Sequence, residues 1–332
     1  MSSSAVPTVT LQTLLAWRAS VDARLAQLLP PGADGLGAAM RDAALAPGKR
    51  LRPLLMLAAG RALAGRGEAV LDLACAVEMV HAASLVLDDM PCMDDARLRR
   101  GRPAVHVRHG QDVAMLAAVA LLTQAYGAVA AAPGLDGAVR AQLVGVLCDA
   151  VGARGLVRGQ YRDLREGAAA RSLQDIAETN EQKTGVLFAA ALEMAALAAG
   201  APDAVAALRA AAGEIGQAFQ LRDDLEDGAA GTAVPLKDRH KDVGKSTMVA
   251  LLGRPAVQQR MDAHLRRAEG LLRSGLRGDE TLCVLLRQAF GSAPPAVSAK
   301  TPAPRRRAPA PDLVAAAVAA GAGGAEGHAS AS

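Results

Sequence analysis

The chain has 332 residues, 51% hydrophobic but only 2% aromatic, with a formal net charge of +4. So small a charge gives no footprint for nucleic acid, and abundant Ala and Leu with few β-branched or aromatic residues argue for an all-α protein. Four separated cysteines (Cys75, Cys92, Cys148, Cys283) without a CxxC pair are expected as reduced thiols in a cytoplasmic protein; no signal peptide is expected, and no membrane-span-length run is free of Gly, Pro or charge.

Leu11, Leu14, Leu15, Val21, Leu25 and Leu28 fall at helical spacings. They predict an amphipathic helix over 10–29, stopped by Pro30-Pro31-Gly32. A short helix follows over 36–45 and ends at Pro47-Gly48. Lys49-Arg50-Leu51-Arg52-Pro53 then sets three cations before an apolar segment, 54–63. Cations at a helix start oppose the dipole, so an ordinary solvated charge run is an uncomfortable account of them. After the loop Gly65-Arg66-Gly67, helix is expected over 68–89. His81 lies two turns before Asp88 on the same face; it is either a core histidine or part of an anion site.

Residues 98–110 read as loop and turn. An Ala-rich apolar helix is expected over 111–130. Another, over 136–156, runs towards Arg158-Gly159-Gln160-Tyr161-Arg162-Asp163-Leu164. One continuous helix is expected from 173 to 199, capped by Ser172 with Asp175 in its first turn, and carrying Glu181-Gln182-Lys183-Thr184-Gly185 inside it. Further helices are expected over 203–227, 245–252, 256–276 and 281–290, with a polar loop over 228–244. From Gly291 the composition turns to Pro, Ala, Ser and Arg, then Ala and Gly. The domain is expected over 1–290, and 291–332 as a disordered tail with too little apolar surface to fold.

Two acid clusters end apolar runs. Asp88, Asp89, Asp94 and Asp95 close the first, with Arg99-Arg100 following; Asp223-Asp224-Leu225-Glu226-Asp227 closes the second. Mg²⁺ is typically held by one or two carboxylates plus substrate phosphates, so acids beside arginines suggest a site for a diphosphate and its metals. On an ideal helix Asp223 and Asp227 share a face, with Asp224 beside Asp223. Asp88 and Asp94 would not share one. Pro91 forbids a regular helix there, so Met90–Met93 are expected to bulge out and return Asp94 towards Asp88.

These residues resemble the trans-isoprenyl diphosphate synthases, and most of all the bacterial geranylgeranyl diphosphate synthases of carotenoid pathways. The first aspartate-rich motif is matched by Asp88, Asp89 and Asp94, and the RRGxP element by Arg99-Arg100-Gly101-Arg102-Pro103, with His106 after it. The GKRxRP element is Gly48-Lys49-Arg50-Leu51-Arg52-Pro53, and the KT element is Lys183-Thr184. The second motif, FQxxDDxxD, runs from Phe219-Gln220 through Asp223-Asp224 to Asp227, and GKST is Gly244-Lys245-Ser246-Thr247. The matches are in order across about 40–290.

The resemblance implies an all-helical bundle around a deep central cavity, usually a homodimer. It implies condensation of an allylic diphosphate (dimethylallyl, geranyl or farnesyl) with isopentenyl diphosphate, using Mg²⁺ or Mn²⁺. Asp88, Asp89, Asp94, Asp223, Asp224 and Asp227 would place the metals. Arg99, Lys183 and Lys237 would bind the allylic diphosphate, with Thr184 and Gln220 beside them. Lys49, Arg52, His81 and Arg100 would bind isopentenyl diphosphate, supported by Arg50. Relatives carry Gly-Lys-Asp where this chain has Leu236-Lys237-Asp238, in a slightly longer loop. Farnesyl-forming relatives often place an aromatic at the position of Ala83. Here Ala83 and Ser84 are both small, so the twenty-carbon geranylgeranyl diphosphate is the expected product. A farnesyl diphosphate synthase is one alternative. A class I terpene cyclase needs only one diphosphate site, and a non-catalytic regulatory subunit could lose an acid cluster; neither explains the whole set.

Overall fold

The computed structural model describes residues 10–65, 67–166, 172–227 and 248–291. The chain divides into two units, 1–292 and 293–332, and every described residue lies in the first. The expected tail therefore falls outside the described residues, as do Lys237 and Gly244–Thr247.

The described chain is helical but for one tiny hairpin. Its helices are α1 (Leu11–Leu28), α2 (Gly35–Ala44), α3 (Leu51–Ala62), α4 (Gly67–Asp88), α5 (Val105–His109), α6 (Gln111–Ala130), α7 (Gly137–Val151) and α8 (Leu156–Glu166). Then come α9 (Leu173–Asn180), α10 (Val186–Ala198), α11 (Val205–Asp227), α12 (Met248–Leu252), α13 (Arg254–Gly275) and α14 (Thr281–Phe290). Thr10 caps α1 and Asp34 caps α2. Ser172 and Asp175 form a reciprocal capping box at α9, so the expected cap is present in its fuller form.

Three expectations are corrected. The 136–156 helix stops at Val151, where the turn through Gly152 separates α7 from α8. The 173–199 helix is interrupted by a π-turn at Glu181–Gly185. The 98–110 stretch contains a hairpin, Leu98–Arg99 against Arg102–Pro103, and then α5.

α4 is apolar around its circumference and buried on most of it, as a helix without a polar face must be. It packs against α3, α6 and α10, while α11 lies along α13 and α10. Fully buried Leu55, Met56, Leu73, Met79, Leu121 and Phe188 belong to the main core. A second cluster, around Leu221, Leu225, Val257 and Met261, sits under the second acid motif. α4 and α6 are long and apolar enough to cross a membrane by length and composition. α4 carries Asp72, Glu78 and Asp88, and α6 carries Asp112 and Gly127, so the sequence expectation about uninterrupted runs holds.

Glu78 is among the few buried charges. Its Oε1 accepts from Arg50 Nη1 at 2.6 Å, and Arg50 Nε donates to Asp22 of α1 at 2.8 Å. The pair joins α1, α4 and the start of α3. Removing one partner of a buried pair strands the other charge. Glu78→Ala should therefore cost about 3 kcal/mol, and Arg50→Met added to it should return part of that, as read by denaturant unfolding. Equal stability of Glu78→Ala and the parent would show that the pair contributes nothing.

Candidate active site

α4 ends at Asp88. The chain then folds back as the proline requires: the Asp94 N–H donates to the Asp88 carbonyl at 2.9 Å and the Ala96 N–H to the Asp89 carbonyl at 3.1 Å. The bulge expected at Met90–Met93 is present, and it brings Asp94 back beside Asp88. Asp95 closes it with φ of 47°.

The hairpin follows. Arg100 and Gly101 form its two-residue turn with φ of 53° and 75°. A mirror-image hairpin turn needs positive φ at both positions, which glycine adopts freely and arginine only under constraint. Arg99, in the first strand, reaches back to Asp89 by a forked ion pair, its Nε 2.9 Å from Oδ1. Asp89 is thus engaged by a cation already. The Arg100 guanidinium lies against Gly48, where a Cβ would stand 2.6 Å from Nη1. This contact unites the two basic elements of the sequence.

Arg50, Arg52, Arg99 and Arg100 surround His81 closely enough for their charge to bear on it. Burial first, then those arginines, push the imidazole pKa well below 6.5, so His81 is neutral. Burial also lowers Arg52, to about 10, against the pull of Glu78 and Asp223. The influence of Asp223 on Arg52 places the second acid motif within reach of the basic set. Lys49 is present in the same loop, ahead of Arg50, which takes a φ of 51°.

Lys183 and Thr184 occupy the π-turn, and close backbone approach fixes it. A side chain at Gly159 of α8 would collide with the Lys183 backbone nitrogen, and one at Gly216 of α11 would meet the Gly185 Cα at 2.6 Å. Lys183 Nζ donates to Asp163 Oδ2 at 2.9 Å. Burial works to lower its pKa, but Asp88 and Asp163 outweigh that, so the ammonium is held charged. The Thr184 hydroxyl donates to Gln220 Oε1 at 3.2 Å, tying the π-turn to the second motif.

On α11, Arg222 lies 3.7 Å from Asp223, and Asp224 Oδ2 accepts the Met248 N–H of α12 at 3.2 Å. Asp227 is the last residue of the helix. Of the two residues expected to set product length, Ala83 is fully enclosed, while Ser84 is partly open and donates its hydroxyl to the His81 carbonyl.

The structure thus brings Asp88, Asp89, Asp94, Arg99 and Lys183 together, ties the π-turn to Gln220, and sets Asp223 within electrostatic reach of Arg52, which with Arg50 and Arg100 acts on His81; Lys49 is placed by its loop alone, Asp224 by its bond to α12, and Lys237 and the Asp227 side chain lie outside the described residues. It adds Glu78 and Asp22 as partners of Arg50, and Asp163 as the partner of Lys183. Glu78 had a signal in the sequence: a charge in an apolar helix, on the turn before His81. Asp163 lay in the 158–164 stretch, whose role composition alone does not reveal.

The donor set is all carboxylate oxygen, which suits a hard divalent cation. Among the described residues, no three His, Cys, Asp or Glu side chains converge into a ready-made cage.

Burial raises Asp88 from 3.8 to about 6, with Asp94 and Asp89 adding to it and Lys183 and Arg99 opposing. The folded carboxyl holds its proton more tightly than the unfolded one. Its charge therefore costs stability above the folded pKa, and the cost fades as pH falls towards the unfolded value. In EDTA, Asp88→Asn should be the more stable protein near neutral pH, by about 2 kcal/mol, and should lose that advantage near pH 4. Unfolding curves at both pH values check this; the opposite ordering at neutral pH would refute it.

The family model for polyprenyl synthetase matches residues 34–269. A geranylgeranyl diphosphate synthase of Pantoea ananas is 52% identical over 255 residues, 75% of this chain and 83% of that one. Its counterpart in Pseudescherichia vulneris is 51% identical over 257 residues, 76% of this chain and 83% of that one. Among solved structures, a geranyltransferase of Helicobacter pylori complexed with magnesium and isoprenyl diphosphate superposes with a TM-score of 0.77 at 26% identity, covering 87% of this chain and all of that one. An FPP/GFPP synthase of Zymomonas mobilis gives 0.74 at 32% identity, covering 84% and 96%. With its all-α fold, its ordered motifs and these matches, the chain belongs to the polyprenyl synthetase family.

Proposed function

We propose that the chain condenses an allylic diphosphate (dimethylallyl, geranyl or farnesyl) head-to-tail with isopentenyl diphosphate, with geranylgeranyl diphosphate as main product. The observation that carries this reading is the presence of two unlike anion sites. One joins carboxylates to Lys183 and Arg99. The other, Lys49, Arg52, His81 and Arg100, is cationic, and its nearest buried carboxylate, Glu78, is taken by Arg50. A terpene cyclase has no use for the second.

Asp88, Asp94, Asp223, Asp224 and Asp227 would hold Mg²⁺, or Mn²⁺ in its place, with Asp89 orienting Arg99 as well as adding negative charge. The metal, when bound, stabilises the charge that gathers on the leaving diphosphate. Lys183 and Arg99, fixed before substrate arrives, add to that stabilisation at no cost of reorganisation. Lys237 is assigned to the same diphosphate by its motif. Thr184 and Gln220 hold the π-turn in place. The basic set grips the second diphosphate, which is retained, so it needs cations and no metal cage. Neutral His81 can donate one N–H to it. No side-chain base is required if the released diphosphate accepts the proton lost from the new chain.

We read the working form as a cytoplasmic homodimer. In support, α6 leaves Met115, Leu116 and Val119 exposed in one stretch. Supply of a carotenoid pathway is the role that the motif resemblance suggests.

The test is incorporation of radiolabelled isopentenyl diphosphate with each allylic diphosphate, the products being resolved by chain length. A labelled twenty-carbon diphosphate is expected, and a cyclised unlabelled product would overturn the reading. Excess EDTA should abolish turnover and Mg²⁺ restore it. Asp88→Ala or Asp223→Ala should each lose kcat by about three orders of magnitude or more with the fold intact, since each removes a group that matters most as the leaving group gains charge.

Product length should be set just below Asp88 on α4. Ser84 has open surface, so Ser84→Phe should project a ring into free space and shift the product to fifteen carbons. Ala83→Tyr should do the same with a lower melting temperature, because Ala83 is enclosed. If both variants still make the twenty-carbon product at the parent rate, the floor is on another helix.

A further inference from the structure

The chain contains three phenylalanines in 332 residues. All three lie in one stack with two arginines. The Arg52 guanidinium carbon sits 4.3 Å from the centre of the Phe188 ring and 5.9 Å from that of Phe219. The two rings are 5.7 Å apart and tilted by 54°. Arg222 lies 4.6 Å from Phe219 and 5.0 Å from Phe290, and its Nη1 donates to the Ala289 carbonyl at 3.0 Å. The stack runs from the start of α3 through α10 and α11 to the end of α14.

Arg52 needs such a support. It is 8% exposed, and its Nε has no hydrogen-bond partner among the described residues. No ion pair to it is present there either. Its neighbour Arg50, by contrast, has two carboxylate partners. A buried cation without a paired carboxylate is costly. The negative face of the Phe188 ring, stacked on it at 4.3 Å, attracts the guanidinium without consuming an N–H, adding to the longer-range pull of Glu78 and Asp223. Phe188 is itself fully buried and reaches Arg52 from the helix that follows the π-turn. A leucine there would fill the core as well in this Leu- and Ala-rich protein, but would leave Arg52 unsupported.

We propose that Phe188 is a positioning residue for isopentenyl diphosphate: its ring holds the Arg52 guanidinium in place with the N–H groups left for the diphosphate. The inference rests on the assignment of Arg52 to that substrate. It distinguishes Phe188 from ordinary core, because its effect must pass through Arg52 and must spare the allylic substrate.

The test is a double-mutant cycle read as kcat/KM for isopentenyl diphosphate at saturating allylic diphosphate. Phe188→Leu should lower it about tenfold, with KM for the allylic diphosphate within about threefold of the parent. In the Arg52→Gln background, the same substitution should change it by less than about twofold. An equal loss in both backgrounds would mean that Phe188 acts by packing alone, and overturns the proposal; so does the absence of any loss in the parent. Melting curves accompany each variant, and Phe188→Met enters the cycle if Phe188→Leu does not fold. Lys49→Gln and Arg52→Gln serve as controls for the site itself. If neither lowers kcat/KM for isopentenyl diphosphate, the assignment of the basic set is wrong and the proposal falls with it. If both do and Phe188→Leu does not, only the role of Phe188 is wrong.

Discussion

Several cations can share the interior of an apolar bundle only where something offsets their mutual repulsion. Here Arg50, Arg52, Arg99 and Arg100 all act on one histidine. The offsets differ by residue. Arg50 is neutralised by Glu78 and Asp22, and Arg99 by Asp89. Arg52 and Arg100 are left with a deficit, and both guanidinium pKa values are lowered, burial being the first cause. That deficit is the property a diphosphate site needs: positive charge built and fixed before the anion arrives. Two buried carboxylates, Glu78 and Asp89, go to the arginines that shape the loop, whereas Arg52 and Arg100, which face the proposed ligand, have no ion pair among the described residues.

Three of the five described non-glycine residues with positive φ lie in the same place. Arg50, Asp95 and Arg100 have positive φ without being glycine. Each sits where the chain must turn sharply to bring a charged side chain back to the end of α4 or α3. Such conformations persist only where surrounding contacts over-determine them, and they cluster at functional sites. The π-turn at Glu181–Gly185 is a second device of this kind. Gly159 and Gly216 allow two helices to approach it closely, so the position of Lys183 is set by main-chain contact before Asp163 adds its ion pair.

The helices were legible because α-helical spacing survives in an Ala- and Leu-rich sequence, and because the cap at Ser172 and the stop at Pro30-Pro31 are local signals. The bulge at Met90–Met93 was legible too: Pro91 between two pairs of aspartates admits few other geometries. The π-turn was not, since Glu181–Gly185 keeps a composition that suits an unbroken helix, and the close packing of two other helices on the turn, which Gly159 and Gly216 permit, leaves no local signal. The split between α7 and α8 was missed although Gly152 and Gly155 bracket it, because single glycines are tolerated in a helix and no proline marks the turn. The charge partners were hidden for the same reason of distance. Asp22, Glu78 and Arg50 come together from three helices, and sequence spacing within one helix says nothing about which of them will meet.

The two anion sites differ in a way that gives the proposed reaction its direction. On the proposed reading both would hold a diphosphate, yet only one diphosphate should leave. The site with Asp88 places carboxylates and Lys183 together, so negative charge and a divalent cation can accumulate where a C–O bond is to break. Around Arg52 the balance is different. Glu78 is already committed to Arg50, Asp223 acts on the guanidinium through its charge without an ion pair to it among the described residues, and the group stacked on it is a phenyl ring, which attracts the cation but offers no oxygen to a metal. Had Phe188 been a glutamate, Arg52 would have been better neutralised, and the site would have lost both its attraction for an anion and its indifference to metal. An aromatic support keeps the charge available and excludes the ion. The three phenylalanines of the chain are grouped against the two arginines, Arg52 and Arg222, that join the basic set to the second acid motif.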